Sequence, residues 1–258
     1  MSNRIIVVTH KAYEMPSDGM YLPVCVGTGL TSLGKKFQRD DEGDNISGVN
    51  ATYCELTAIY WAWKNLPLEN GDFIGVAHYR RHFTLKKGAR TLTDVLSTEQ
   101  LEELVNKHGN RAVFVTPARK YHPSIAQHYI SSKYGYRTIH ENDIECFKQA
   151  IRECSAPEYF QAGLKVLTGK SAHMLNMFIM NAEMFREYCT WLFPVIDRVV
   201  ELCKSRSDQR RYAGALSEFC LDIWLTAHQI QAVEIPLLET EKISFLKRVI
   251  QYIKRKMP

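Results

Sequence analysis

Residues 73–83 read FIGVAHYRRHF. Phe73, Ile74, Val76 and Ala77 form the near-continuous apolar run of a strand buried on both faces. His78, Tyr79, Arg80, Arg81 and His82 follow at once, and such groups need water or an anion. A strand that runs from the core into a titratable cluster predicts a sheet with a charged site at its carboxyl edge. PLENGD (67–72) is the turn that feeds this strand.

Working outward, RIIVVTH (4–10) predicts a first buried strand, and YLPVCVGTG (21–29) a second one closed by glycines. KKFQRDDEGDNIS (35–47) is a polar loop. In NATYCELTAIYWAWKNL (50–66), Leu56, Ile59, Tyr60 and Trp63 recur at helical spacing, which predicts an amphipathic helix capped by Asn50 or Ser47. Downstream, TLTDVLSTEQLEELVNKHG (91–109) predicts a capped helix, and RAVFVTP (111–117) a short buried strand. Residues 142–154 and 156–167 are helical, 177–180 a strand running into a long helix, 214–230 a further helix, and 232–239 a late strand. The order strand, strand, helix, strand predicts an α/β fold with a mostly parallel sheet flanked by helices and a helical C-terminal half. With no repeat and no Gly/Ser linker, a single domain is expected over residues 1–240.

The composition, 45% apolar and 24% charged, is that of an ordinary globular chain. No apolar run reaches the roughly 18 residues of a membrane span, and MSNRIIVVTH is too short in apolar residues for a signal peptide, so a cytoplasmic protein is expected. The seven cysteines are scattered and hold no CxxC pair, which argues against a disulfide framework or a cysteine zinc site. Six basic residues and one acid lie between Glu241 and Pro258, so the formal net charge of +5 resides wholly in that tail. A neutral body argues against a nucleic-acid partner. In the tail, Ile243, Leu246, Ile250 and Ile253 form an apolar stripe widened by Phe245, Val249 and Tyr252. This is the pattern of a basic amphipathic helix that lies on an anionic membrane surface.

Ligands of open α/β sheets bind beyond the carboxyl ends of the strands. That rule gathers Thr9, His10 and Lys11, then Gly27, Thr28 and Gly29, then His78, Tyr79, Arg80 and Arg81, and finally Arg119 and Lys120. A pyrophosphate would use such a cationic rim, because arginine forks match phosphate oxygens in paired hydrogen bonds. Asp40, Asp41 and Asp44 could hold a divalent ion through oxygen or bind a ribose. VGTGL is too short for a dinucleotide fingerprint, and the chain has no phosphate-binding lysine loop, GxSxG elbow or HExxH.

The segments VVTHK (7–11), DNISGVNATYCELTAIYWAWKN (44–65), GVAHYRRHF (75–83), NMFIMNAEMFREYCTWLFPVI (176–196) and GALSEFCLDIWL (214–225) resemble a family of bacterial capsular and exopolysaccharide glycosyltransferases. That family was once described as a domain of unknown function, and its characterised members include galactofuranosyltransferases. The element order is also similar to the Rossmann-related nucleotide-sugar fold called GT-A, whose corresponding strand ends in an Asp-x-Asp metal site. Here HYRR stands in that place.

The resemblance implies transfer of a hexose, with galactofuranose as one candidate, from a UDP-sugar to a glycan or lipid-linked glycan. It implies a place on the inner face of the bacterial cytoplasmic membrane. Arg80 and Arg81, with His78, His10 and Lys11, would balance the leaving diphosphate in place of Mn²⁺ or Mg²⁺, so no metal ligand is assigned. Glu218 is the expected base, with Glu55 second. Thr9, Asp44, Asn45, Asn50, Tyr53 and Tyr79 complete the expected nucleotide-sugar contacts, and Trp191 is a further stacking candidate. The alternative is a non-catalytic nucleotide-sugar or polysaccharide-binding module of a biosynthetic complex.

Overall fold

The computed structural model describes residues 2–130 and 139–241. The expected tail helix, residues 241–258, lies outside the described residues apart from Glu241. In chain order the elements are β1 (Arg4–Thr9), β2 (Tyr21–Cys25), α1 (Gly29–Ser32), β3 (Gln38–Arg39), α2 (Asn50–Tyr53), α3 (Leu56–Asn65), β4 (Phe73–His78) and β5 (Arg81–Phe83). There follow α4 (Thr98–His108), β6 (Phe114–Val115), β7 (Arg119–Lys120), α5 (Ile125–Ile130), α6 (Glu141–Cys154), α7 (Pro157–Thr168) and β8 (Ser171–Ala172). The last are β9 (Phe178–Asn181), α8 (Ala182–Leu202), α9 (Tyr212–Ser217), α10 (Cys220–Ala227), β10 (Val233–Glu234) and β11 (Leu237–Glu239).

The main sheet runs β10-β6-β9-β4-β1-β2-β3. Along this path pairing is parallel except at β9, which lies antiparallel between β4 and β6; β5 and β11 join the sheet off the path by antiparallel pairing. The mostly parallel α/β expectation therefore holds. β4 sits at the centre, flanked by β1 and β9, and its first five residues are all buried. Helices α3 and α8 pack on this sheet, and α6, α7 and α10 form a second layer around α8. Five of the seven cysteines are buried and none is disulfide-bonded, so they behave as small apolar core residues.

Five segments differ from their sequence reading. FIGVAHYRRHF is a strand, a tight turn at Tyr79–Arg80, and a second strand, with His78 paired antiparallel to Arg81. β5 then pairs with β11. A further turn splits 232–239 into β10 and β11, with Pro236, which lacks a backbone N–H, between them. The 50–66 helix is broken at Cys54, whose backbone takes φ 54° and ψ −128°, and neither Asn50 nor Ser47 caps it. The 214–230 helix is broken at Glu218 and Phe219. The helix expected from residue 91 starts only at Thr98, where Ser97 and Gln100 form a reciprocal cap.

At Gly75 in mid-β4 the side chains of both neighbouring strands close over the backbone. A Cβ there would stand 2.8 Å from Ile179 Cγ1 and 3.0 Å from Ile5 Cγ1. Gly75→Val is expected to cost about 1–3 kcal/mol by overpacking, read as a lower urea midpoint at unchanged slope.

Candidate active site

The carboxyl ends of β1, β2 and β4 open into a cavity of about 690 Å³. One wall is the β4–β5 turn with Tyr79, Arg80 and Arg81; the opposite wall is the segment before α9 with Asp208, Arg210 and Arg211. Glu55, His78, Leu175 and Glu218 complete the lining around its titratable part.

The broken helices put the carboxylates there. The turn at Cys54 ends α2 and points the next residue, Glu55, into the cavity. Asn50 holds that turn through its side-chain amide, which donates to Cys54 O at 2.8 Å and Thr57 Oγ1 at 2.9 Å. α9 closes against the same turn: a Cβ on Gly214 would stand 2.9 Å from Cys54 Cβ. Glu218 sits just past α9, where its Oε2 accepts a 2.7 Å hydrogen bond from Tyr129. Burial and then the neighbouring Glu55 push Glu218 up to about 7, against the opposing pull of Tyr129, the Leu175 backbone and Arg119.

Asn176 donates to Glu55 Oε1 at 2.8 Å and to Ser217 Oγ at 2.9 Å. His78 donates from Nε2 to the Leu175 carbonyl at 2.6 Å, which fixes its tautomer. Among the described residues, five non-glycine residues have positive φ, and four of them (Cys54, Leu175, Asn176 and Arg211) line the cavity or bond its carboxylate. Such backbone costs of order 1–3 kcal/mol per residue and gathers where a site over-determines it.

The cations of the rim are arginines. Arg80 pairs with Glu241 at 3.1 Å, Arg81 with Glu239 at 3.3 Å, and Arg210 with Asp208 at 3.0 Å. Arg211 carries no ion-pair partner among the described residues; its backbone N–H donates to Ala51 O at 2.8 Å. Exposed pairs of this kind contribute about 0–1 kcal/mol each, so a polyanion can exchange with the carboxylates.

Of the expected residues, His10, Asn50, His78, Tyr79, Arg80, Arg81 and Glu218 line this cavity. Thr9, Lys11, Asp44, Asn45 and Tyr53 do not. Thr9 is buried, and its hydroxyl closes the turn after β1 by donating to Lys11 O. Lys11 is exposed. Asp44 is held at the end of α3 by Asn65. Asn45 and Tyr53 border a separate, smaller depression, where Tyr53 donates to Asp197 at 2.7 Å.

Burial lowers His10 and His78 below the ordinary histidine value; Lys11, Arg80 and Arg211 add to this at His10, and Arg81 and Arg80 at His78, where Glu55 and the Leu175 carbonyl oppose it. Trp191 is a core residue, stacked on Tyr159 at 4.8 Å. The acidic loop holds its carboxylates in different settings. Asp40 is buried and pushed up to about 6 by that burial, whereas Asp41 grips Arg39. Among the described residues no three His, Cys, Asp or Glu side chains converge on a metal position.

The sequence reading missed Arg211, Arg210 and Asp208 in the cavity wall, and Tyr129 and Asn176 behind it. The run RSDQRRY (206–212), with three arginines just before a buried helix, was the available signal for the wall.

Fold and cavity together define an α/β protein with a cavity beyond its strand ends, lined by arginines and by a buried carboxylate. Residues 4–229 match the family model described as "Domain of unknown function (DUF4422)", and the chain belongs to that family. Comparison with curated proteins gave no match. Among solved structures, the fold is similar to the apo structure of WbbM, a bifunctional glycosyltransferase, with TM-score 0.78 and 22% identity. The likeness covers 94% of this chain and 46% of that one, so the chain spans about half the length of that neighbour. No helix among the described residues is long and apolar enough to cross a membrane.

Glu218 predicts a stability slope. Its folded value lies above its unfolded one, so the folded protein is progressively penalised as pH rises from about 4.5 to about 7. Relative to the wild type, Glu218→Gln should gain stability across that window, on the order of 3 kcal/mol. Urea unfolding at a series of pH values checks this; parallel curves contradict it.

Proposed function

We propose that the protein is a glycosyltransferase that moves a hexose from a UDP-sugar to a glycan or lipid-linked glycan of a bacterial surface polysaccharide. The observation that carries this reading is the cavity itself: a buried carboxylate with a raised pKa faces two arginine walls. Membership of the family and the fold shared with a bifunctional glycosyltransferase support it.

Glycosyl transfer breaks the bond between the anomeric carbon and the diphosphate oxygen, and negative charge grows on the leaving group. Arg80, Arg81 and Arg211 meet that charge with fixed guanidinium groups. The residues present do not fit the Asp-x-Asp metal site of GT-A-like proteins, because HYRR offers no carboxylate. In an inverting reaction, Glu218 takes the acceptor hydroxyl proton as that oxygen attacks the anomeric carbon. A carboxylate pushed up to about 7 is a competent base near neutral pH. Galactofuranose is the first donor to test. The basic amphipathic pattern of residues 241–258 supports docking on an anionic leaflet beside a lipid-linked acceptor.

Turnover of UDP-galactofuranose and UDP-galactose, together with UDP binding by calorimetry, tests the reading. Glu218→Gln is expected to lose about 10²-fold or more in kcat while UDP affinity holds. Arg80→Ala, Arg81→Ala and Arg211→Ala should each weaken UDP binding about tenfold. Tight UDP binding with no turnover of any sugar nucleotide would instead favour a binding module.

A further inference from the structure

His173 does not line the cavity, but it stands two residues before Leu175, which does. It follows β8 and opens the loop that leads into β9. Its backbone N–H donates to Asp222 Oδ2 at 2.7 Å, and its Nδ1 contacts Asp222 Oδ1 at 2.7 Å. Its Nε2 lies 3.2 Å from Glu234 Oε1, an oxygen that also accepts from the Ala118 amide. The ring thus joins the first turn of α10 to β10. Asp222 and Glu234 are the charged groups that act on it; burial opposes its charge, but their hydrogen bonds and charges win and raise its pKa.

The next residues of the same loop make the cavity contacts. Leu175 and Asn176 both stand in the left-handed region, at φ 84° and 51°, where side-chain-bearing residues are strained. The Leu175 carbonyl accepts from His78, and the Asn176 amide holds Glu55. Two strained residues cannot keep that turn on their own. On its N-terminal side, beyond the buried Met174, the nearest hydrogen bonds are those of His173 to Asp222 and Glu234.

We propose that His173 is a positioning residue: its clip on Asp222 and Glu234 fixes the Leu175–Asn176 turn, and through that turn the orientation of His78 and Glu55. Only the doubly protonated ring donates to both carboxylates. As pH rises and one proton leaves, the shorter Asp222 bond keeps the remaining N–H, the Glu234 contact opens, and the turn, then clipped to α10 alone and no longer to β10, loosens. The effect on turnover rests on the glycosyltransferase reading; the effect on geometry does not.

The test joins nuclear magnetic resonance of ¹⁵N-histidine-labelled protein with kinetics. The His78 Nε2–H signal is assigned by its loss in His78→Gln. In His173→Ala its exchange with solvent should quicken about tenfold or more, and kcat should fall about tenfold or more with donor KM roughly unchanged. Glu234→Gln, at a half-exposed position that folding tolerates, removes a charge that holds the His173 proton. It should move both the loss of the His78 signal and the alkaline limb of kcat to lower pH. An unchanged His78 signal in His173→Ala, or pH profiles unmoved in Glu234→Gln, overturns the proposal. If the wild type turns over no sugar nucleotide, the functional reading fails, and the His78 signal alone decides the positioning role.

Discussion

The reversal of the chain between His78 and Arg81 sets the rest of the site. β4 is buried on both faces and bonded on both edges, to β1 and β9. Two guanidinium groups cannot continue such a strand, because an unpaired buried charge costs far more than the strand gains. The chain therefore turns at the sheet edge, leaving His78 at the inner end and Arg80 and Arg81 on the rim. β5 then runs back and pairs with β11, which carries Glu239 and leads to Glu241. The same reversal that keeps charge out of the core thus builds a cationic wall with exchangeable counter-ions.

The opposite wall is built by breaks in helices. Cys54, Leu175, Asn176 and Arg211 hold left-handed backbone around one cavity, at a combined cost of several kcal/mol. A core that runs without interruption through sheet and helices can offset that strain. What the strain yields is placement: Glu55 appears at the end of α2, Glu218 at the end of α9, and Arg211 at the start of α9. Burial then does the electrostatic work. It raises Glu218 towards neutrality and lowers His10 and His78, which favours their neutral forms and leaves the arginines as the fixed cations of the cavity lining.

Period and burial in the sequence predict the strands and most helices, because those signals are local. The rule that ligands sit beyond strand ends gathers His10, His78, Arg80 and Arg81, all of which line one cavity. What escapes the sequence is the set of breaks. Cys54 and Glu218 lie inside runs with good helical periodicity, and only tertiary contact interrupts them, as the close approach of Gly214 to Cys54 shows. Arg211 escapes for the same reason: its place depends on an N–H bond to Ala51, some 160 residues away in sequence. Asp44, Asn45 and Tyr53 lie away from this cavity: Asn65 ties Asp44 to the end of α3, and Asn45 and Tyr53 border the smaller depression.

The central claim is that a leaving diphosphate rests on arginines rather than on a cation held by aspartates. A crystal structure of the protein with UDP, grown in the presence of EDTA, tests it most directly. The account predicts diphosphate oxygens within hydrogen-bond distance of Arg80, Arg81 or Arg211, with Glu239 or Glu241 displaced. A diphosphate seated instead in the depression beside Asn45 and Tyr53, with the rim ion pairs intact, would contradict it.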